Sequence, residues 1–203
     1  MKNILVIRSS VNGASSVSNQ MLDAFLSQLR AQYPSLNVVE RDLANQPIPV
    51  LTPETVGAIR AGVTESDTQV QADQLASALI EEIKSADAVA IGIPRYNFHV
   101  PATLKSYIDY IARPRITFQY GANGPEGLLP HNTPVYGFVA SAGYYSNNPD
   151  SDYLSLWLKQ VFGFVGLNNL ELIHTEGFAM GEEHATAAFA KTHQRIAEIV
   201  ANA

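Results

Sequence analysis

Residues 4–29, ILVIRSSVNGASSVSNQMLDAFLSQL, contain the pattern that decides the fold of this chain. The unbroken apolar run at residues 4–7 predicts a strand that is covered on both faces, as in a parallel sheet. A serine-rich turn follows over residues 8–18. Apolar residues then recur at the spacing of an amphipathic helix that packs back on the sheet: Leu22, Phe25, Leu26 and Leu29. The stretch therefore predicts a strand, a turn and a helix, which together begin an α/β fold.

The serine-rich turn is suited to bind an anion. A helix that begins near Ser16 or Val17 points unpaired backbone N–H groups and the positive end of its dipole at the end of the first strand. A phosphate binds at such a helix N-terminus without any lysine. The hydroxyl groups of Ser10, Ser16 and Ser18 add further donors. Serine is also a common helix cap and turn residue, so a purely structural role stays open.

Composition limits the class of function. The 203 residues are 46% hydrophobic and 16% charged, which is typical of one compact domain over residues 1–203. A net charge of -6 without a basic run argues against nucleic acid and anionic membranes as partners. No signal peptide or membrane-spanning run is evident, which predicts a cytoplasmic protein. Without cysteine, redox chemistry needs an organic cofactor, and the five histidines lack the spacing of a metal site.

Strands and helices alternate along the rest of the chain. Segments with helical periodicity separate the predicted strands, and residues 116–125 predict a strand and turn that are typical of a hairpin excursion. Four more apolar runs predict strands, at residues 37–43, 88–93, 135–140 and 170–175. The alternation predicts a three-layer α/β sandwich with a five-stranded, doubly wound parallel sheet, the flavodoxin-like fold.

Two more loops follow predicted strands at the edge of the sheet where such folds bind ligands. Residues 94–101, PRYNFHVP, follow the third strand, and residues 141–145 follow the fourth. Tyr96, Asn97 and Phe98 combine an amide with aromatic rings, which suits the polar edge and flat rings of flavin mononucleotide (FMN). The sequence contains neither G-x-G-x-x-G after the first strand nor a P-loop, so FMN fits better than NAD. The alternative to a flavin site is that Tyr96 and Phe98 are core aromatic residues and Asn97 is a turn residue.

The chain resembles the FMN-dependent NADH-azoreductase family over nearly its whole length. Several collinear segments carry the resemblance: Ser9-Ser10, residues 16–20 (SVSNQ), Arg41-Asp42-Leu43, residues 47–51 (PIPVL), residues 56–60 (VGAIR), Pro94 with Tyr96-Asn97-Phe98, Leu104-Lys105, residues 123–128 (NGPEGL) and residues 163–166 (GFVG).

The resemblance implies bound FMN, with NADH or NADPH as the electron donor. It implies a ping-pong reaction that reduces quinones and cleaves aromatic azo compounds, with no obligatory catalytic side chain. It also implies a homodimer with the flavin near the subunit interface. The residues that it places at FMN are Ser10, Ser16, Val17, Ser18, Arg95, Tyr96, Asn97, Phe98, Ser141, Ala142, Gly143 and Tyr144. The residues that it places near the substrate are Arg60, Tyr120 and Phe162.

Two departures from the family pattern bear on the chemistry. The family has methionine where Arg95 stands, and Arg-Gly-Gly-like residues where residues 142–144 stand. A guanidinium near the flavin favours the anionic reduced ring, which leaves the redox potential and the choice of acceptor open.

Two other functions stay open on the residues alone. A flavodoxin-type electron carrier shares the fold and the cofactor but has no substrate pocket. A hydrolase would use Ser141, although residues 139–143 lack the first glycine of a nucleophile elbow.

Overall fold

A computed structural model of the chain describes residues 1–148 and 150–203. Its strands are β1 (Asn3–Arg8), β2 (Asn37–Asp42), β3 (Ala88–Pro94), β4 (Phe118–Gly121), β5 (Gly124–Gly127), β6 (Val135–Ser141) and β7 (Leu170–Glu176). Five of them form a parallel sheet in the order β2-β1-β3-β6-β7, and β4 and β5 form a separate antiparallel hairpin. The predicted flavodoxin-like sheet is therefore confirmed, with β1 beside β3 at the point where the strand order reverses.

Six helices cover the two faces of the sheet. They are α1 (Val17–Gln32), α2 (Thr55–Ala61), α3 (Asp67–Lys84), α4 (Ala102–Ile111), α5 (Tyr153–Val165) and α6 (Glu182–Ala201). Because successive strand residues point to opposite faces, β1 divides its side chains between two cores. Ile4 and Val6 pack with α1 and α6, whereas Leu5 and Ile7 pack with the other four helices. Among the described residues, no helix combines the length and the apolar character needed to cross a bilayer.

The hairpin begins later than the sequence predicts. Its strands occupy residues 118–121 and 124–127, whereas the sequence predicts a strand and turn within residues 116–125. The reason is a turn closed by hydrogen bonds between Thr117 and Arg113: Thr117 N donates to Arg113 O at 2.9 Å, and Arg113 N donates to Thr117 Oγ1 at 2.8 Å. This turn withholds residues 113–117 from the strand.

Gly92 lets α1 pack closely against the end of β3. A Cβ at this position would lie 2.8 Å from Leu22 Cδ1 and 3.2 Å from Asn19 Oδ1, so even alanine would require these side chains of α1 to shift. The serine-rich turn is thereby held next to the loop that follows β3.

Candidate functional site

Three loops meet at the C-terminal edge of the sheet, after β1, β3 and β6. The first two are joined by their side chains, because Ser10 Oγ and Tyr96 OH lie 3.1 Å apart. The second and third are joined through the backbone, since Arg95 N donates to Ala140 O at 2.8 Å. The loops that the sequence predicts for one site are therefore adjacent.

The turn after β1 leaves backbone donors free at the start of α1. Ser16 caps the helix, because its Oγ accepts a hydrogen bond from Asn19 N, and Ser16 Oγ lies 3.0 Å from Ser18 Oγ. Ser10, Ser16 and Ser18 are all buried. Within residues 1–148 and 150–203, the N–H groups of Val17 and Ser18 have no acceptor. Serine hydroxyls and free N–H groups at a helix N-terminus are the donors that a phosphate binds.

The loop after β3 reverses direction in two residues. Tyr96 N donates to His99 O at 2.8 Å and His99 N donates to Tyr96 O at 3.0 Å, so Asn97 and Phe98 form the turn. Their φ angles are +46° and +71°, a conformation that is unfavourable for residues other than glycine and is most strained for the bulky Phe98. Neither of their N–H groups meets an acceptor in the described part of the chain. Strain of this kind concentrates at binding sites, where it turns donors toward a ligand.

The loop after β6 has its carbonyl groups turned toward the segment that follows β7. Gly177 N donates to Ser141 O and Gly143 O at 3.1 and 3.2 Å, and Ala179 N donates to Ala142 O at 3.3 Å. By contrast, the N–H groups of residues 142–144 donate to no acceptor among the residues that the structure describes. Successive free N–H groups of this kind can bind the carbonyl oxygens and ring nitrogens of a ligand.

The last part of this loop is bound by a buried carboxylate. Glu176 Oε1 accepts hydrogen bonds from Tyr145 N at 3.2 Å and Ser146 N at 3.1 Å, and its Oε2 accepts one from Ser146 Oγ at 2.6 Å. Ser141 Oγ also donates to Oε1, at 3.3 Å, and is itself buried. The Ser141 hydroxyl is thus engaged with a carboxylate and is not presented as a nucleophile.

The Arg95 guanidinium is buried and compensated. Its side chain is 2% exposed; Nη2 donates to Asp152 Oδ1 at 2.6 Å, and Cζ lies 4.1 Å from the centre of the Tyr145 ring. Burial by itself raises the pKa of Asp152, but hydrogen bonds from Ser155 and Arg95 outweigh it and lower this pKa. Arg95 Nε and Nη1 have no partner in the described residues. The positive charge noted in the sequence therefore comes with a negative charge beside it.

His174 lies between these two acidic groups. Its Nδ1 is 3.8 Å from Glu176 Oε1, and its Nε2 is 3.4 Å from Ser155 Oγ. Burial lowers the pKa of His174, and this effect outweighs the opposite effects of Glu176 and Asp152. The imidazole is accordingly held in its neutral form around neutral pH.

Tyr144 contributes only its backbone to the loop cluster. Its ring lies against Gly177, and its hydroxyl is 2.8 Å from His184 Nδ1 on α6. The next residue, Tyr145, instead faces the loop after β3, because its ring meets Phe98 edge to face at 6.2 Å between ring centres. The aromatic side chain that joins these two loops is therefore that of Tyr145.

The predicted substrate residues are on elements other than the three loops. Arg60 is in the last turn of α2, Tyr120 is 77% exposed on the hairpin and packs against Phe118, and Phe162 is 2% exposed in the core. Within the described residues, none of the three predicted side chains makes a hydrogen bond, ion pair or ring contact with the loops.

Four side chains that build the site are missing from the sequence predictions: Tyr145, Asp152, His174 and Glu176. Asp152 and Glu176 could have been suspected, since an acid at a buried strand end or beside an arginine-bearing loop needs a partner. For Tyr145 and His174, the sequence contains no signal that separates them from surface residues.

Comparisons with known proteins identify the family and agree with the fold. A model of the flavodoxin-like fold family matches residues 2–200. A protein of Yersinia pestis named FMN-dependent NADH:quinone oxidoreductase is 39% identical over 202 residues, which cover 99% of this chain and 100% of the relative. A Haemophilus influenzae protein of the same name is 38% identical over 201 residues, 99% of each chain. The crystal structure of an azoreductase from Bacillus anthracis has a TM-score of 0.88 and 27% identity, covering 98% of this chain and 99% of that one.

Proposed function

Because this chain belongs to the flavodoxin-like family, and within it to the FMN-dependent NADH:quinone oxidoreductases, we propose that it uses NADH, or NADPH, and bound FMN to reduce quinones and to cleave aromatic azo compounds. It is an oxidoreductase whose electrons pass through the flavin, since the chain has no cysteine for thiol chemistry. We propose that the protein is cytoplasmic, because reduced nicotinamide is available in the cytoplasm.

The free N–H groups of the three loops carry this proposal. Those of Val17 and Ser18, with the hydroxyls of Ser10, Ser16 and Ser18, would hold the phosphate. Those of Asn97, Phe98 and residues 142–144 would bind the carbonyl groups and nitrogens of the flavin's pyrimidine edge. Seven unpaired donors on three adjacent loops fit one ligand that has a phosphate at one end and a polar ring at the other.

The protein's own contribution to the reaction is binding and orientation. When bound, FMN would supply two-electron redox chemistry, and the nicotinamide and the acceptor would use the site in turn, in a ping-pong sequence. Phe98, which is 68% exposed, offers an apolar surface on which a flat substrate can lie. The Ser141 hydroxyl is bonded to Glu176, and hydride transfer needs no nucleophilic side chain.

The proposal includes a homodimer with the flavin near its interface. Exposed apolar side chains next to the loops support it: Phe98, Tyr153 and Leu156. The loop after β3 is tied to α5, because the His99 and Trp157 rings are 4.5 Å apart. Exposed apolar groups near one another mark surfaces that other proteins cover. In such a dimer, Arg60 and Tyr120 would contact substrate with their exposed side chains, and Phe162 would shape the pocket by packing from within.

A flavin titration tests the function. FMN is added to the purified protein, and NADH and then a quinone are added without oxygen while the visible spectrum is recorded. We expect flavin bands that NADH bleaches and the quinone restores. Bands that NADH leaves unchanged would favour a flavodoxin-type carrier, and a protein that binds no FMN would overturn the proposal.

A further inference from the structure

Glu176 has no part in the proposed hydride transfer, yet the loop after β6 is built on it. The residue is 6% exposed at the end of β7. Its two carboxylate oxygens accept hydrogen bonds from three residues of the loop, Ser141, Tyr145 and Ser146, through two backbone N–H groups and two hydroxyls. The Glu176 side chain thus binds donors of residues that are 30 to 35 positions away in the sequence.

The polar groups of this loop are divided between its two sides. Gly177 and Ala179 take the carbonyls of residues 141–143, and Glu176 takes the last two N–H groups. Among the N–H groups of residues 142–146, those of residues 142–144 are left without a partner in the part of the chain that the structure describes. The segment from Glu176 to Ala179 thus fixes which groups of the loop are available to a ligand.

We propose that Glu176 is a positioning residue for the flavin ring: it holds the loop so that the N–H groups of residues 142–144 point to the cofactor. This inference rests on the proposed function. Glu176 acts through the loop backbone and does not touch the cofactor itself.

The carboxylate is needed because every group that faces it is a donor or can act as one. An ionised carboxylate only accepts hydrogen bonds and can take several on its two oxygens. A glutamine would present an NH2 group to the N–H of Ser146 in either orientation of its amide, since both carboxylate oxygens lie 3.1 Å from that nitrogen. Glu176→Gln therefore keeps the size of the side chain and sets two donors against each other.

The test compares Glu176→Gln with Glu171→Gln. Glu171 is on the same strand but pairs with Arg195 at the surface, so its substitution leaves the loop intact. FMN affinity is measured by titration, together with the midpoint potential and absorption bands of the bound flavin. We expect Glu176→Gln to weaken FMN binding about ten- to hundredfold, the effect of losing hydrogen bonds to a charged group, and to shift the potential and the bands. Glu171→Gln should match the wild type in all three.

A second variant and a direct measurement cover the case in which Glu176→Gln does not fold. Ser146→Ala removes only the 2.6 Å hydroxyl bond to Glu176 and should weaken FMN severalfold with a smaller change in the bands. The amide hydrogens of Tyr145 and Ser146 should exchange slowly in the wild type. Wild-type affinity and potential in Glu176→Gln would overturn the inference alone. If that variant does not fold, fast exchange of both amides or unchanged binding in Ser146→Ala would do so. A wild-type protein without FMN affinity would overturn the proposed function as well.

Discussion

The turn after β1 and the loop after β6 both present free N–H groups, but they are held in place differently. The turn after β1 meets β3 and the loop that follows it through Ser9 and Ser10, but the part of it that starts α1 is held by its own neighbours: Ser16 caps α1, and Asn19 Nδ2 donates to Gly13 O six residues away. The loop after β6 is held from a distance by Glu176, Gly177 and the Arg95–Asp152 pair. Changes within the first turn should therefore act locally, whereas the loop after β6 should depend on residues that never contact the ligand.

The largest effect should come from Asp152→Asn. This change leaves the buried Arg95 guanidinium without its counter-charge, and removing one partner of a buried pair costs about 3 kcal/mol. Ser16→Ala, which removes the local cap of α1, should cost about 1 kcal/mol. The free energy of unfolding in urea measures both.

The double variant Arg95→Met with Asp152→Asn is the control, because it removes the cation together with its partner. It should regain much of the stability that Asp152→Asn loses. Equal losses in Asp152→Asn and Ser16→Ala would show that the remote pair matters no more than the local cap.

A pair of glycine substitutions gives the next largest effect. Gly13 and Gly177 both have positive φ, +54° and +75°, so alanine at either position costs about 1 kcal/mol in backbone strain. Gly13 has open space around it, whereas a Cβ at Gly177 would overlap the Tyr144 ring. We expect Gly177→Ala to lose about 2 kcal/mol or more of unfolding free energy, and FMN affinity as well. Equal stability losses in the two variants would mean that the Tyr144 ring moves aside freely.

The same difference explains which parts of the molecule the sequence predicts. The strands, the fold class and the start of α1 follow from periodicity and capping within short stretches. They could therefore be predicted from residues 4–29 and from the later segments with strand or helix patterns. The serine-rich turn is of this kind. Its free donors at Val17 and Ser18 follow from the helix start alone.

The loop after β6 could not be derived in this way. Its shape depends on Glu176 and Gly177, which follow the next strand, and nothing within residues 141–145 indicates that Tyr144 turns to His184 while Tyr145 turns to Arg95. The compensation of Arg95 likewise depends on Asp152, 57 residues away. Contacts between distant residues of this kind come from the packed fold, and local patterns do not encode them.

Acid should lower the free energy of unfolding through His174, which lies beside the loop after β6. The turn after β1 should make no such contribution. Burial lowers the pKa of His174 in the folded protein, and the positive charges of Arg95 and Lys191 lower it further. The carboxylates of Glu176 and Asp152 raise this pKa but do not reverse the shift. The unfolded chain therefore takes up a proton at this residue at higher pH than the folded chain does. As pH falls below about 6.5, the unfolding free energy should decrease until the native imidazole is protonated too, by at most about 1.4 kcal/mol per pH unit.

Urea unfolding at several pH values from 8 to 5 measures this effect, and His174→Gln provides the comparison. The two proteins differ only at residue 174, so the difference in slope isolates His174. Residues 9–18 contain no titratable side chain, which is why the turn after β1 adds nothing to the slope. Identical slopes in the wild type and in His174→Gln would contradict the expectation.

The smallest effect should be that of Arg95→Met on the flavin potential. An isolated guanidinium beside the ring would favour the reduced anion, so its removal lowers the potential. Here Asp152 lies 2.6 Å from Arg95 Nη2 and cancels most of the field that the charge would exert. We expect a downward shift of no more than about 30 mV, which is about 1.4 kcal/mol for a two-electron couple.

Arg113→Met is the matched control for Arg95→Met, because Arg113 is also buried and paired, with Asp73 of α3 at 2.5 Å, but lies in the turn before β4. Its potential should equal that of the wild type in a potentiometric titration of bound FMN. A fall well beyond 30 mV in Arg95→Met alone would mean that the guanidinium acts on the flavin directly and that Asp152 does not compensate it. If Asp152 compensates the guanidinium as expected, Asp152→Asn should instead move the potential upward, since the same cation would face the ring without its partner.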